Sequence, residues 1–388
     1  MRICHVITRL IIGGAQENTL LTCEGLHQRG HDVTLIAGPT DGPEGRLVER
    51  ARGGGYRFIE LPELRRSINP WTDARAMREL AATYVDLQPE VVHTHSSKAG
   101  IVGRFAAARA RVPIVVHTIH GMSFNRTQPW FVRAAYSFLE RRAARVSDAI
   151  VSVADAMTEQ SVAARIAPRA RFSTIYSGMD IAAFTPSSAQ RERSRAAWGV
   201  APDDVIVAVV ARLFRNKGYE QLIPVMDAAM KQEPRLRFVW IGDGAQRGEF
   251  EAHLRQRGIA DRTTLVGLVP PSEIPNLLAG ADLLAHASQW EGLPRAVVQG
   301  LLMCVPAVAF AIDGTPEVVI NDRTGFVVPL GDETAFAARL VELARDAERR
   351  RRMGYAGREL CRERFDWRVM VGQLETLYER LHSRRARP

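Results

Sequence analysis

A chain of 388 residues with 46% apolar and 24% charged residues has the balance of a folded protein, and its length exceeds what one ordinary core holds, so two domains are expected. The longest apolar runs, Val205 to Val210 and Leu301 to Ile312, are too short to span a bilayer, and Pro306 interrupts the second. A net charge of +9 points to acidic partners, yet it comes from 49 arginines spread along the chain beside three lysines. No basic run with interleaved stacking aromatics stands out, so nucleic acid is not an expected partner.

Met1 to Leu10 is apolar in patches and interrupted by Arg9, which reads as a buried first strand rather than a signal peptide and predicts a cytoplasmic protein. Predicted strands follow at 2–7, 32–37, 91–94, 114–118 and 149–153, with helices between them near 14–29, 71–87, 99–110 and 130–145. Repeated units of this length predict a parallel sheet covered on both faces. The pattern pauses at Ser177-Gly178-Met179-Asp180 and Pro186-Ser187-Ser188, which read as a linker with a short helix. It restarts with strands at 205–210, 237–241, 263–266, 282–285 and 307–310, and helices near 219–231, 246–256 and 295–303. After Asp332 the chain reads as helical and Arg-rich to its end. The four cysteines, Cys4, Cys23, Cys304 and Cys361, lack metal-type spacing and read as reduced, mostly buried thiols.

Ligands in open α/β sheets bind beyond the carboxyl ends of strands, so chemistry is sought in the loops there. Gly13-Gly14 follows the first strand and opens a helix, where backbone amides meet an anion or merely make a turn; the spacing is not that of a dinucleotide fingerprint. Arg212 and Lys217 lie beyond the strand at 205–210, as a diphosphate clamp or as solvated charges. Glu291 precedes a helix entered through Gly292, Leu293, Pro294 and Arg295, with Gln299 more than a turn inside. A carboxylate there accepts bonds from sugar hydroxyls, or simply complements the helix dipole. His93, His95 and His120 follow first-half strands and face a substrate or serve the structure; with no carboxylate or thiol at ligand spacing, no metal is expected.

The ordered set of motifs resembles the retaining GT-B glycosyltransferases of family four. It comprises the Gly-Gly loop, Thr118-Ile119-His120-Gly121, Tyr176-Ser177-Gly178-Met179-Asp180 with Phe184, Arg212 with Lys217-Gly218, Ile241-Gly242-Asp243-Gly244, Glu291-Gly292-Leu293-Pro294 and Gly314-Thr315-Pro316-Glu317-Val318-Val319. The resemblance covers nearly the whole chain. It implies two doubly wound Rossmann-like domains facing a central cleft: an acceptor-side domain at 1–182, on which a helix at 366–388 packs back, and a nucleotide-sugar domain at 183–365.

It further implies that Arg212 and Lys217 bind the donor diphosphate, that Glu291 holds donor-sugar hydroxyls, and that His120 sits near the reacting sugar. Gly14, Gly242, Gly267, Gly292, Leu293, Arg295 and Gln299 would complete the donor site, with His95, Ser96 and Lys98 on the acceptor side. Transfer would proceed with retention and without metal or cofactor, from a nucleotide sugar, UDP-linked by preference, to a carbohydrate or glycolipid hydroxyl. Gln299 departs from the pattern, which has a glutamate there for the ribose hydroxyls. The helix at 130–145 mixes aromatics with arginines; its aromatics are expected to face the sheet, the alternative being contact with the inner face of an anionic membrane. Rival readings are a sugar-nucleotide epimerase of the same fold and a binding protein with weakened catalysis.

Overall fold

The computed structural model describes residues 1–40, 45–124 and 128–385. The chain divides into two compact units, Met1–Met179 with Phe365–Pro388, and Asp180–Arg364. The first holds β1 (Arg2–Ile7), β2 (Asp32–Ala37), β3 (Arg57–Glu60), β4 (Val91–His95), β5 (Ile114–Ile119), β6 (Ala149–Ser152) and β7 (Phe172–Thr174). They pair in parallel in the order β3-β2-β1-β4-β5-β6-β7. The second holds β8 (Val205–Val210), β9 (Leu236–Ile241), β10 (Thr263–Gly267), β11 (Leu283–His286), β12 (Ala307–Phe310) and β13 (Gly325–Val328), parallel in the order β10-β9-β8-β11-β12-β13. Each is a doubly wound, Rossmann-like sheet. In each the order reverses beside the first strand, so the loops after β1 and β4, and those after β8 and β11, diverge and open a crevice at the strand ends.

Central strands are buried on both faces by covering helices, which is why β1, β2 and β8 read as near-continuous apolar runs. Their sequence-predicted bounds match the structure. The reading missed β3, β7 and β13, which lie at or next to sheet edges. β3 (Arg-Phe-Ile-Glu) is half exposed, and β7 is three residues long, so neither carries a run that stands out.

The first unit is closed by its own C-terminal helix, Trp367–Arg385. Met370, Val371, Leu374, Leu377 and Tyr378 join Leu20, Cys23 and Leu26 of the Gly14–Gln28 helix in one buried cluster. Gly25 makes the approach possible: a Cβ there would lie 2.7 Å from both the Trp367 ring and Val371 Cγ2. The 176–179 stretch fastens the returning chain. Ser177 Oγ and the Gly178 amide both donate to Asn18 Oδ1, at 2.7 and 3.1 Å. Met179 donates to the Phe365 carbonyl, and Trp367 donates to that of Met179.

In the second unit Tyr219 is fully buried, 4.6 Å from the Trp240 ring and 4.9 Å from that of Phe250, and its hydroxyl donates to the Ala211 carbonyl at 3.2 Å. The residue that starts the Tyr219–Gln232 helix thereby ties that helix to the end of β8 and fixes the span of the loop between them. Cys4, Cys23 and Cys361 are buried and unbridged, and Cys304 is half buried. Among the described residues no helix is long and apolar enough to cross a membrane.

Candidate active site

The loops of the second unit meet through missing side chains. Gly218 has φ +73°, and a Cβ on it would collide with the Ala287 carbonyl, so the loop after β8 presses directly on the loop after β11. The Gln289 amide donates to the Asn216 carbonyl at 3.0 Å and holds the two together. Gly242, at φ +141°, packs on the Ala211 carbonyl, and its amide donates to the Gly267 carbonyl at 2.9 Å. These glycines account for the spacing of the Gly-Asp-Gly and Lys-Gly motifs: backbone lies on backbone at both places.

The contact delivers Lys217 to Glu291. Nζ donates to Oε1 at 2.5 Å, and Ser288 Oγ donates to the same oxygen at 2.8 Å. The Glu291 amide donates to Asp313 Oδ2 at 2.6 Å, so the loop after β12 anchors the main chain of the residue whose side chain faces Lys217. Burial opposes ionisation of Glu291, but the charge of Lys217 and the side-chain bonds from Lys217 and Ser288 outweigh it, and the carboxyl is held below its usual range. It is therefore ionised at neutral pH. His286 Nε2 stands 3.7 Å from Glu291 Oε1. Burial, with the Lys217 charge, pushes this imidazole down to about 4 against the pull of Glu291, so it is neutral.

Arg212 is exposed beyond β8, its guanidinium 5.1 Å from the centroid of the Phe214 ring. Leu293 is buried, Gly292 accepts from the Gly314 amide at 3.1 Å, and Pro294 is the cap of a helix that begins at Arg295. Proline thus sits one position before the first helical turn. Gln299 is half buried in the second turn of that helix. Sequence reasoning gave no role to Ser288, His286 or Asp313. The signals were a hydroxyl three residues before the glutamate, a histidine ending an apolar strand, and an acid immediately before the Gly-Thr-Pro-Glu motif.

In the first unit the candidates lie at the ends of β1, β4 and β5. Gly14 starts its helix after an extended Gly13 that offers no side-chain cap. Ser96 follows β4 at φ +62° and ψ 160°, and its hydroxyl pairs with that of Thr8 at 2.7 Å. Lys98 donates to the Ser67 carbonyl at 2.7 Å and pairs with Asp73. His95 Nδ1 is 3.0 Å from His120 Nε2, and His95 Nε2 is 2.9 Å from Nδ1 of His5, a residue the sequence reading passed over. His5 pairs in register with His93 across β1 and β4. His93 bonds Tyr378 Oη at 2.5 Å and Thr118 Oγ1 at 2.6 Å. Desolvation in this cluster pushes all the buried imidazoles down, that of His5 to about 3.

His5, His93 and His95 bring one possible ligand nitrogen each within 4.8 Å of one another. The rings of His93 and His95 stack at 4.4 Å with 26° between planes, and both ring nitrogens of each already have hydrogen-bond partners: Tyr378 and Thr118 for His93, His120 and His5 for His95. His120 borders a cavity of about 260 Å³ lined by Ser96, Ser97, His117, Met122, Phe124 and Glu140 among others.

The expectation for the Trp130–Arg145 helix is corrected. Trp130 is 78% exposed, Phe131 59% and Phe138 57%, so these aromatics do not face the sheet. The inward positions are taken by Ala143 and Ala144, and by Glu140 paired with buried Arg104 at 2.6 Å; small residues and a compensated charge leave no room there for the rings.

Residues 12–183 match the family described as Glycosyltransferase Family 4, and residues 190–360 match Glycosyl transferases group 1. The chain is 27% identical over 349 residues to the UDP-Gal:alpha-D-GlcNAc-diphosphoundecaprenol alpha-1,3-galactosyltransferase of Escherichia coli, covering 89% of this chain and 88% of that one. It is 26% identical over 366 residues to the GDP-mannose-dependent alpha-(1-6)-phosphatidylinositol monomannoside mannosyltransferase of Mycolicibacterium smegmatis, covering 92% and 93%. The fold is that of Anabaena HepE in complex with UDP-glucose, with TM-score 0.83 and 20% identity over 98% of this chain and 100% of that one. Sucrose-phosphate synthase of Thermosynechococcus elongatus is equally similar, with TM-score 0.83 and 21% identity over 98% and 99%. With both halves matched in order and both sheets doubly wound, the chain belongs to the family-four glycosyltransferases of the GT-B fold.

Proposed function

We propose that this glycosyltransferase moves a sugar from a UDP-linked donor to a hydroxyl of a lipid-linked or polysaccharide acceptor, with retention and without a metal. The observation that carries the reading is the Lys217–Glu291 pair, an ionised carboxylate and a cation held together by two strand-end loops. Glu291 takes donor-sugar hydroxyls, while Lys217 and Arg212 take the diphosphate. As the glycosidic bond breaks, negative charge grows on the leaving phosphate, and fixed cations stabilise it without reorganising. They supply the electrostatics that a metal supplies elsewhere. The acceptor attacks from the leaving-group side, so no protein nucleophile is required, and His120 with Ser96 and Lys98 serves the reacting sugar and acceptor. UDP and the lipid-linked acceptor are favoured by the name of the Escherichia coli relative.

The Trp130–Arg145 helix supports the acceptor class. Exposed Trp130, Phe131, Phe138 and Leu139 beside Arg133, Arg141 and Arg142 suit a place at the inner face of an anionic membrane.

Four outcomes test this reading. UDP at a hundred times its Kd stabilises the folded protein by about 2.7 kcal/mol, read as a raised melting temperature in the presence of a chelator, and Arg212→Ala abolishes the shift. A shift that requires added metal removes the metal-free clamp. In Glu291→Ala the UDP shift survives while donor hydrolysis and transfer, followed by mass spectrometry, fall on the order of a hundredfold; transfer at full rate takes Glu291 out of the sugar site. Gln299→Glu, which supplies a carboxylate for the ribose, tightens UDP roughly fivefold, about 1 kcal/mol, by calorimetry. Unchanged affinity places the ribose elsewhere. Finally, the protein co-sediments with phosphatidylglycerol vesicles but not with neutral ones, and Trp130→Ser with Phe131→Ser releases it. Equal binding of the double variant assigns membrane contact to another surface.

A further inference from the structure

We propose that four arginines of the first unit, Arg141, Arg145, Arg165 and Arg171, form a binding site for an organic phosphate. They line one cavity of about 490 Å³, with Val162, Ala167 and Pro168 among the apolar residues of its wall. Arg171 immediately precedes β7, and Arg145 ends the helix that leads into β6. The cavity therefore lies at the N-terminal ends of those parallel strands, the opposite end of the sheet from Ser96 and His120. It is a second site, and it does not rest on the donor reading.

An arginine-rich chain brings arginines together in several places, but elsewhere the grouped arginines share an acid. Arg191 and Arg195 share Asp282, Arg235 and Arg345 share Glu233, and Arg339 and Arg349 share Glu342. Around this cavity the pattern fails. Among the described residues no carboxylate lines it. The acids of the surrounding elements are engaged by other arginines: Glu140 by buried Arg104 at 2.6 Å, Glu159 by Arg169 at 3.6 Å and Asp148 by Arg385 at 3.0 Å. Like charges gathered without a counter-charge raise one another's energy, and a bound anion removes that cost.

Two of the four cations are fixed in place. Arg141 donates through Nε and Nη2 to the Ala164 carbonyl at 3.2 and 2.8 Å, and Arg171 donates to the carbonyls of Ala144 and Ser147. These bonds cap helix ends, which is reason enough for both residues. A guanidinium has more N–H groups than such bonds use, and those left over match phosphate oxygens. Capping does not account for Arg145 and Arg165, whose side chains have no partner among the described residues. Arg165 is also costly where it stands. It follows the Asp155–Ala163 helix at φ +55°. Its amide donates to the Val162 carbonyl at 2.8 Å, and that of Ile166 donates to Ser161 at 3.0 Å, a helix ending whose left-handed position ordinarily takes glycine. The strained residue brings a cation to the cavity where glycine would bring none.

The volume falls in the range of small-molecule sites, roughly 300–1,000 Å³. The arginine forks take the phosphate and the apolar wall takes an uncharged body, so the ligand is a phosphate ester and not a bare ion. Its source is a soluble ester or a lipid headgroup. Exposed Phe138 and Leu139 stand about two turns before Arg145 on the same helix, which puts the second source within reach.

The test compares the full chain with its Arg145→Gln/Arg165→Gly variant, which keeps both capping arginines. Glycine accepts the left-handed turn, so the variant melts no lower than the wild type; if it does melt lower, Arg145→Gln alone carries the comparison. Calorimetry with glycerol 3-phosphate shows binding to the wild type that weakens on the order of tenfold in the variant, and this result assigns a soluble ester. With no such difference, the readout is sedimentation with phosphatidylcholine vesicles that hold phosphatidic acid or, at equal surface charge, phosphatidylglycerol. A wild-type preference for phosphatidic acid that the variant loses assigns a lipid headgroup. If wild type and variant are alike in calorimetry and neither prefers phosphatidic acid, the arginines are solvated surface charges and the site is overturned.

Discussion

The strand-end loops of the second unit depend on a close approach that only glycine permits. At Gly218 the backbone turns through a left-handed conformation and lies on the Ala287 carbonyl. Any Cβ there separates the loops after β8 and β11, and with them Lys217 from Glu291. Because Tyr219 follows immediately and is sealed into the core with Trp240 and Phe250, the approach is set by core packing. The charged pair is thus positioned by apolar burial. A partly buried carboxylate close to a neutral histidine has little to hold it ionised except Lys217, which is why the two residues act as one unit.

The first unit meets a different constraint: polar groups inside a sheet. His5, His93, His95 and His117 interrupt strands that are otherwise apolar, and burying an imidazole without partners costs more than a small packing gain returns. The cost is met by bonding the rings to one another and by Tyr378, which arrives from the far end of the chain. This gives the C-terminal helix a role beyond covering apolar surface. Gly25 admits it, Ser177 and Gly178 fasten its start through Asn18, and Tyr378 closes the histidine cluster.

The central strands were legible because strands covered on both faces need largely apolar runs, and β1, β2, β8 and β12 supply them. Three of the four edge strands were not: β3 is half exposed and β7 is three residues long, so neither carries such a pattern, whereas β10, also at an edge, was read at 263–266. At the site, Arg212, Lys217 and Glu291 stood out as charges at strand ends, and the glycines as places where backbone approaches backbone. Pairing was harder to read: nothing in the order of residues says that Lys217 and Glu291, seventy-four positions apart, share a hydrogen bond. His5 was hidden for a related reason. Its partners lie on β4, and a lone histidine in a first strand shows its meaning only when the register with His93 is known. The Trp130–Arg145 helix misled because aromatics usually mark the buried face, whereas here a compensated Arg104–Glu140 pair occupies it.

Two of the seven non-glycine residues at positive φ among the described residues lie in these loops. Ser96 and Asp313 are not glycines, yet both adopt positive φ, 62° and 42°, in the loops after β4 and β12. Each such residue costs on the order of 1–3 kcal/mol and persists only if its surroundings over-determine it. For Ser96 the surroundings are Thr8, whose hydroxyl both meets the Ser96 hydroxyl and accepts from the Ala99 amide at 3.1 Å. For Asp313 they are the Glu291 amide at 2.6 Å and the tie between Gly314 and Gly292. Relaxing either residue toward negative φ would release strain, but it would also turn the chain next to His95 in one case and withdraw the anchor of Glu291 in the other. A sequence selected for stability alone would place glycine at both positions. Retaining serine and aspartate there keeps a hydroxyl and a carboxylate at the strand ends where the candidate chemistry lies.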